Sequence, residues 1–469
     1  MRDTYYYRKH RRNLIATLLH YHPVLIACAA FSISTAIFFA YHLGYFSTFL
    51  IYLPFATVCV PALTIFDAAH ISNWSRWTPR RRTRFRLCFI WCLFLLLAPT
   101  YPYSSHLRND APISPLPSNG TYYIAANLYN SAKVLPTWTK EMKLLIDHIG
   151  RQNAFVSIYE SNSDDGTQEI LRMFQKELDE RGVGNHIVVQ EGIRDRWGLN
   201  SPDRISYMAD IRNKVLEPLR VMGDQDGKTF TKVLFFNDVY FDWRAIVRLI
   251  HTKNGDYDLA CALDFDGVGL YDMYVFLCYA TFPPYTSISW VVRDACGRTA
   301  KEIWPYFSSD SRAVKSLRKG EPIEVASCWN GVAVFDATWF LAGSLPKLDR
   351  SKPTPTGDYL PPLPLRFRGS TECTSSECYL IAIDMHFWNT PHRPKIYVNP
   401  QVNVAYDSLN FLFHTKLEHL ALSHPWRLVW QDWIGHRMFG WLSDWIWLKE
   451  DRCSGKHGSE VFVEADYCK

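Results

Sequence analysis

Residues 154–180 read AFVSIYESNSDDGTQEILRMFQKELDE, and the change of period inside them decides the fold. Ala154–Tyr159 is short, apolar and rich in β-branched and aromatic side chains, the pattern of a buried strand. It ends in a polar loop, Glu160 to Thr167, after which apolar residues recur at helical spacing from Gln168 to Glu180. The alternation continues on both sides. Upstream, Tyr122–Leu128 (YYIAANL) reads as a strand and Val134–Ile149 as an amphipathic helix. Downstream come a strand at His186–Gln190, a helix over Ser206–Leu219 and the apolar strand Lys232–Phe236, which ends at Asn237-Asp238. This βαβα rhythm predicts an α/β domain with parallel strands.

In such sheets the ligand crevice lies at the carboxyl ends of the strands. Asn127, the Glu160–Thr167 loop (with Ser161 and Asp165) and Asn237-Asp238 all fall there. The chain holds no G-x-G-x-x-G and no G-x-x-x-x-G-K-[ST], which removes the signatures of a dinucleotide oxidoreductase and a P-loop enzyme. Gly-x-Ser-x-Gly, His-Glu-x-x-His and a Cys-x-x-Cys pair are missing too, so hydrolase and zinc-ribbon readings have no motif.

The strand ends offer chemistry of another kind. A carboxylate there can hold a divalent cation against a departing diphosphate. Asp238, directly after VLFFN, is the best placed, although a loop or helix-capping Asp occupies the same position. Asp264-Phe265-Asp266 follows the apolar strand Leu259–Leu263, and in an extended chain its carboxylates face one side. It rivals Asp238 for the metal, while Asp264 would alternatively bind sugar hydroxyls. Arg212, mid-helix in RISYMADIRNKVLEPL, suits phosphate oxygens or a salt bridge equally well. Arg293-Asp294 either shapes the pocket or bridges internally. In Cys328-Trp329-Asn330-Gly331 the Trp and Asn stack on and hydrogen-bond to a sugar, or form a turn with a packed ring. Asp384, in CYLIAIDMHFW, is expected to end or interrupt an apolar strand, with His386 nearby as a second candidate ligand.

The amino-terminal quarter has a different composition. Pro23–Leu43 is an apolar run of about 30 Å as a helix, and further runs occupy Tyr45–Phe66 and Leu87–Pro102. Basic clusters at Arg2–Arg12 and Arg80–Arg86 flank them and supply much of the net charge of +5. They read as cytosolic membrane-flanking charges rather than a nucleic-acid surface. The expected organisation is a basic tail at 1–22, a membrane region at 23–103 with up to three transmembrane helices, a stem at 104–120 and a lumenal domain at 121–469. Asn119-Gly120-Thr121 is an N-glycosylation acceptor, and local disulfides are expected around Cys373/Cys378 and Cys453/Cys468.

The segments YYIAANLYNSAKVLPTW, VSIYESNSDDGT, IRNKVLEPL, VLFFNDVYF, DLACALDFDG, LYDMYVF, RDACG, CWNG and SECYLIAIDMHFW, in this order, resemble the fungal α-1,3-mannosyltransferase family that includes the cryptococcal capsule-associated proteins. The resemblance covers about 121–410. It implies a GT-A-like, Rossmann-type mixed sheet with helices on both faces, preceded by transmembrane helices and anchored in the Golgi membrane, with membrane lipid as a partner. It further implies retaining α-1,3 transfer of mannose from GDP-mannose to a mannose-containing glycan, such as a capsule or cell-wall polysaccharide precursor, with Mn2+ or Mg2+ as cofactor. Asn127, Glu160, Ser161, Asp165, Arg212 and Asn237 would border the nucleotide. Asn237-Asp238 would replace the metal-binding Asp-x-Asp motif, its first acid absent. Asp264, Asp384, Arg293, Asp294, Trp329 and Asn330 would form the catalytic side. The competing readings are a transferase using UDP-xylose or UDP-glucose, and a non-catalytic membrane scaffold that partners other glycosyltransferases.

Overall fold

The computed structural model describes residues 119–189, 202–225, 229–266, 269–271, 291–301, 304–341, 361–369, 375–389, 392–419 and 464–468, together with Arg86, Leu116, Pro117 and Gly227. Every named strand and helix belongs to one compact unit, Tyr101–Ser423 with Gln431–Lys469.

Strands β1 (Tyr122–Leu128), β2 (Ala154–Glu160), β3 (Gly184–Val188) and β4 (Lys232–Phe236) pair in parallel, in the order β3-β2-β1-β4. Beyond β4 the sheet becomes mixed. β9 (Val332–Asp336) runs antiparallel between β4 and β5 (Leu259–Asp266), and β10 (Ile396–Ala405) lies parallel to β5. β8 (Ile323–Ser327) and β7 (Arg293–Asp294) complete that side, and β6 (Gly269–Leu270) folds back on β5. The unbroken run of parallel strands is therefore confined to β3-β2-β1-β4, and β5 and β10 form a second parallel pair beyond β9. The reversal at β9 brings its amino end to the same edge as the carboxyl ends of β4 and β5.

Helices cover both faces because alternate strand residues point to opposite sides. Tyr122, Ile124, Ala126, Leu234 and Phe236 pack with α1 (Leu135–Ile149), α2 (Thr167–Glu180) and α4 (Trp243–Ile250). Tyr123, Ala125, Val233 and Phe235 pack with α3 (Pro202–Gln225), α5 (Ser311–Lys319) and α6 (Glu377–Asn389). α7 (Ser408–Thr415) follows β10. In α1 the buried residues Leu135, Trp138, Met142, Leu145, Ile146 and Ile149 form one stripe, and Gly150, at φ 93°, ends the helix.

Two expectations are corrected by these elements. The run CYLIAIDMHFW is helical, not a strand, and ten successive residues of α6 from Glu377 to His386 are buried. A helix apolar all round carries no 3.6-residue stripe, so periodicity could not separate it from a strand. The disulfides are also long-range. Among the described residues Cys261 in β5 pairs with Cys328, and Cys296 with Cys468, while the buried Cys378 is in no disulfide and its Sγ donates to Glu377 Oε1 at 3.5 Å. Cys373 and Cys453 lie outside the described residues.

The membrane-anchored Golgi arrangement is likewise corrected. Among the described residues no helix is long and apolar enough to cross a membrane. The apolar stretches at 23–103 that carried this expectation lie outside the described residues, and membrane lipid as a partner has no support.

Candidate active site

The rim of the sheet is built first by two crossed loops. Asp165 is exposed, and its carboxylate accepts the Ala132 amide at 2.9 Å, the Thr167 amide at 3.1 Å and the Thr167 hydroxyl at 2.6 Å. It thus ties the loop after β1 to the start of α2. The Asn130 amide donates to Ser163 Oγ at 2.9 Å, and the Asp164 amide returns to Asn130 Oδ1 at 3.0 Å. Burial acts to raise the Asp165 carboxyl, and the Thr167 hydroxyl with the Ala132 and Thr167 amides outweighs it, holding the group below its usual range. Glu160, at the end of β2, is fully buried and accepts the Ser163 amide. Ser161 is buried, with its amide on the Leu128 carbonyl at 3.1 Å. Asn127 donates to the Ile211 carbonyl at 3.1 Å, and its buried Oδ1 has no hydrogen-bond partner among the described residues. These residues lie together beyond the carboxyl ends of β1 and β2, one corner of the candidate site.

The second corner lies where β4, β5 and β9 meet. The Asn237 amide donates to the Gly331 carbonyl at 2.8 Å, and Trp329 Nε1 donates to Asn237 Oδ1 at 3.2 Å. Asn237 Nδ2 in turn donates to Tyr406 Oη at 3.0 Å. Asn330 is fully buried and gives Nδ2 to Asp264 Oδ1 at 3.2 Å. Asp238 is partly exposed, its Oδ2 3.5 Å from the hydroxyl of Ser131. Asp266 is partly exposed too, and Asn410 Nδ2 donates to it at 3.4 Å. Burial first and the neighbouring Asp407 second push the Asp266 carboxyl up. The two acids of Asp264-Phe265-Asp266 therefore differ in environment: the first is sealed and the second reaches solvent.

Arg212 is placed beneath this corner. Its guanidinium lies 4.3 Å from the Trp329 ring centre and 5.1 Å from that of Phe235, and Nε donates to Glu377 Oε1 at 3.0 Å. It is buried as a stacked, ion-paired group under Trp329. Asp384 makes a bidentate pair with Arg368, with bonds of 3.0 Å from Nε and 2.8 Å from Nη2. Burial raises its carboxyl despite that arginine. His386 is buried with Nε2 2.9 Å from the Ala326 carbonyl, and burial depresses it to about 4, so it is a neutral packing residue. Asp294 collects the Cys296 and Arg298 amides at 2.9 and 2.8 Å and the Ser309 hydroxyl at 2.8 Å, organising a turn. Arg293 stands over the Tyr379 ring at 5.0 Å and donates to the Gly297 carbonyl at 3.2 Å. Sequence reasoning missed Glu377, Ser131, Tyr406 and Arg368. Glu377 after Ser376 is a helix-start signal, but reading the following run as a strand hid it.

Among the described residues no group of three or more His, Cys, Asp or Glu side chains is arranged to hold a metal ion. The donors at the edge are oxygen atoms, which suit Mg2+ or Mn2+, and such ions take one or two carboxylates and complete their shell with substrate phosphates. Asp238 fits that use.

A mixed sheet with amide and carboxylate groups gathered at this edge is consistent with a GT-A-like glycosyltransferase. The chain belongs to the family described as Cryptococcal mannosyltransferase 1, whose model matches residues 121–384. It is 30% identical over 306 residues to the α-1,3-mannosyltransferase CMT1 of Cryptococcus neoformans var. neoformans serotype D, covering 61% of this chain. The chain spans 58% of the length of that relative. Among solved structures it is similar to a mannosyltransferase, PcManGT, from Pyrobaculum calidifontis in complex with GDP-Man and Mn2+. There the TM-score is 0.31 and the identity 12%, over 67% of this chain and 63% of the other. It is also similar to GalNAc-T7 with UDP, GalNAc and Mn2+, at TM-score 0.35 and 12% identity, over 84% of this chain and 65% of the other. At these TM-scores neither likeness extends to the ligands of this chain.

Proposed function

We propose that this protein transfers mannose from GDP-mannose to a mannose-containing glycan, forming an α-1,3 bond with retention. The observation that carries the proposal is the meeting of Asn237-Asp238, Asn330 and Asp264 at the strand edge, in a chain that shares 30% identity with an α-1,3-mannosyltransferase.

The nucleotide would lie along the first corner, against Asn127, Glu160, Ser161 and the Asp165-braced loop. Asp238 would hold Mn2+ or Mg2+ at the diphosphate, and the cation would stabilise the charge that develops on the leaving phosphate. Asn237 would line the reacting end, and the fully buried Asn330 would support it. Asn237 is fixed by Trp329 and Tyr406, and Asn330 by Asp264. An acceptor hydroxyl attacks the anomeric carbon from the face that the phosphate leaves. The new carbon–oxygen bond forms as the old one breaks, and the hydroxyl proton passes to the departing phosphate oxygen. No enzyme nucleophile is required by this route. Asp264 and Asp384 hold Asn330 and Arg368, roles that order the site rather than attack the sugar. Arg212 supports the reacting end through Trp329.

Incubation of the protein with labelled GDP-mannose and α-mannobiose, with and without Mn2+, tests this directly, with UDP-xylose and UDP-glucose run in parallel. The expected product is an α-1,3-linked mannotriose. Asp238→Asn should lower turnover about 100-fold, the loss of roughly 3 kcal/mol of leaving-group stabilisation. Transfer from a UDP-sugar alone would replace the donor. Neither hydrolysis nor transfer from any donor would leave a scaffold.

A further inference from the structure

The two carboxylates expected to face an acceptor, Asp264 and Asp384, are 0% and 1% exposed. The groups that do reach solvent beside Asn237-Asp238 come from the next turns of chain. β5 ends at Asp266, β6 returns antiparallel with Leu270 against Phe265, and Tyr271 follows. Tyr406 stands just after β10, whose Ala405 pairs with Phe265, and its amide donates to the Phe265 carbonyl at 3.2 Å. This brings the Tyr271 and Tyr406 rings to 4.2 Å between centres, with their planes 45° apart. Both rings and Asp266 are partly exposed, and buried Asn410 donates to the Asp266 carboxylate at 3.4 Å. Tyr406 Oη accepts from Asn237 at 3.0 Å, so this notch shares a side chain with the strand end assigned to the donor.

We propose that Tyr271, Tyr406, Asp266 and Asn410 form the subsite for the acceptor's hexopyranose ring, the sugar that receives the transferred residue. The proposal rests on the glycosyltransferase reading above and names the acceptor side of the same site. A pyranose has an apolar C–H face and a rim of hydroxyls. The two tilted rings supply an apolar cradle with polar tips. Asp266 supplies an acceptor for one or two hydroxyls, held in orientation by Asn410. Asp266 presents its partly exposed carboxylate to this notch, while Asp407 is paired with Lys133 Nζ at 2.6 Å, so an anionic sugar meets like charge at Asp266 and a neutral one does not. The ligand class is therefore a neutral hexopyranose, with a uronic acid disfavoured.

The test uses the full chain and reads binding as well as turnover. Calorimetric titration with a panel of neutral hexose disaccharides, α-mannobiose first, and with a glucuronic-acid disaccharide gives acceptor affinity; initial rates give acceptor KM. Tyr271→Ala should raise the KM and Kd for the neutral disaccharide about tenfold, and Tyr271→Phe, which keeps the ring, should restore them. Asp266→Asn should weaken the neutral disaccharide at least threefold and narrow the gap to the glucuronide. Unchanged acceptor affinity in both Tyr271→Ala and Asp266→Asn overturns the subsite. A wild-type protein that binds none of the neutral disaccharides overturns it as well, even where it cleaves GDP-mannose. Binding of a disaccharide that Tyr271→Ala and Asp266→Asn weaken, in a protein that takes no nucleotide sugar, upholds the subsite and overturns the donor reading instead.

Discussion

The guanidinium of Arg212 is clamped between the Trp329 ring, 4.3 Å from its centre, and the Glu377 carboxylate, 3.0 Å from Nε. The side chains of Arg212 and Glu377 are only 6% and 7% exposed, so the pair is a buried one. Removing one partner of such a pair leaves an uncompensated charge in the interior, at a cost of about 3–5 kcal/mol. Arg212→Ala should destabilise the domain by this amount, read as a lowered urea midpoint. Arg212→Lys keeps the charge but loses the planar stack on Trp329, and a smaller loss of stability with a clear loss of turnover is expected. Equal turnover in wild type and Arg212→Lys would remove the stack from the function of the site.

Gly331 immediately precedes β9 and packs against Asp264 of β5 and the Asn237 amide after β4. Its φ is +72°, and a Cβ there would lie 2.9 Å from Val404 Cγ2, 3.2 Å from Asp264 Cβ and 3.2 Å from Val239 Cγ1. Each neighbour is a buried atom that would have to shift. Gly331→Ala should cost about 1–3 kcal/mol from conformation alone. Because the Gly331 carbonyl holds the Asn237 amide and Asn330 precedes it, turnover should fall together with stability. A thermal melt and a transfer assay on the same preparation check both.

The parallel half of the fold was legible because each strand there is a short apolar run closed by a polar turn. Tyr122–Leu128 and Lys232–Phe236 stand where the apolar runs begin and end. The Gln168–Glu180 helix is present with one further residue, Thr167, whose amide is held by Asp165. The antiparallel β9 could not be read, since a fully buried strand has no alternation and its direction is set by its neighbours. Asn237 and Asn330, singled out by residue type, do lie close together at the ends of β4 and β9, yet sequence could not separate solvent-facing from sealed acids. Asp264 and Asp266 are two residues apart on one strand, and only the packing around Asn330 and Asn410 shows that the first is sealed and the second reaches solvent. Tyr406 carried no signal at all, because its place beside Asn237 depends on contact between chain segments 169 residues apart.

Acid should unfold the domain through a small set of carboxylates. Asp165 and Asp407 both titrate below the ordinary range although burial acts to raise each. The Thr167 hydroxyl with nearby amides overcomes it for the first, and Lys133 with the Leu409 amide for the second. A carboxyl depressed in the folded state binds fewer protons there than in the unfolded chain, where its value is about 3.9. Its contribution is therefore complete above that value and lost as pH falls through the folded one. Asp165→Asn and Lys133→Ala should each flatten the decline of melting temperature below about pH 4. A decline of unchanged steepness in both variants would assign it to other groups.

The Cys261–Cys328 disulfide joins β5 to the turn that carries Trp329 and Asn330, across a sequence separation of 67. Closing a loop of that length removes unfolded-state entropy worth about 4 kcal/mol at 25 °C. The bond also fixes a segment of the candidate site, because Trp329 Nε1 and Asn330 Nδ2 hold Asn237 and Asp264 within the next two residues of chain. The double variant Cys261→Ser, Cys328→Ser should consequently lose stability on the order of 4 kcal/mol and also lose turnover at temperatures where it remains folded. The second loss separates positioning from simple cross-linking. A disulfide acting only on the unfolded chain would lower the urea midpoint and leave turnover of the folded enzyme as it was. Circular dichroism at the assay temperature, followed by initial rates on the same sample, decides between the two.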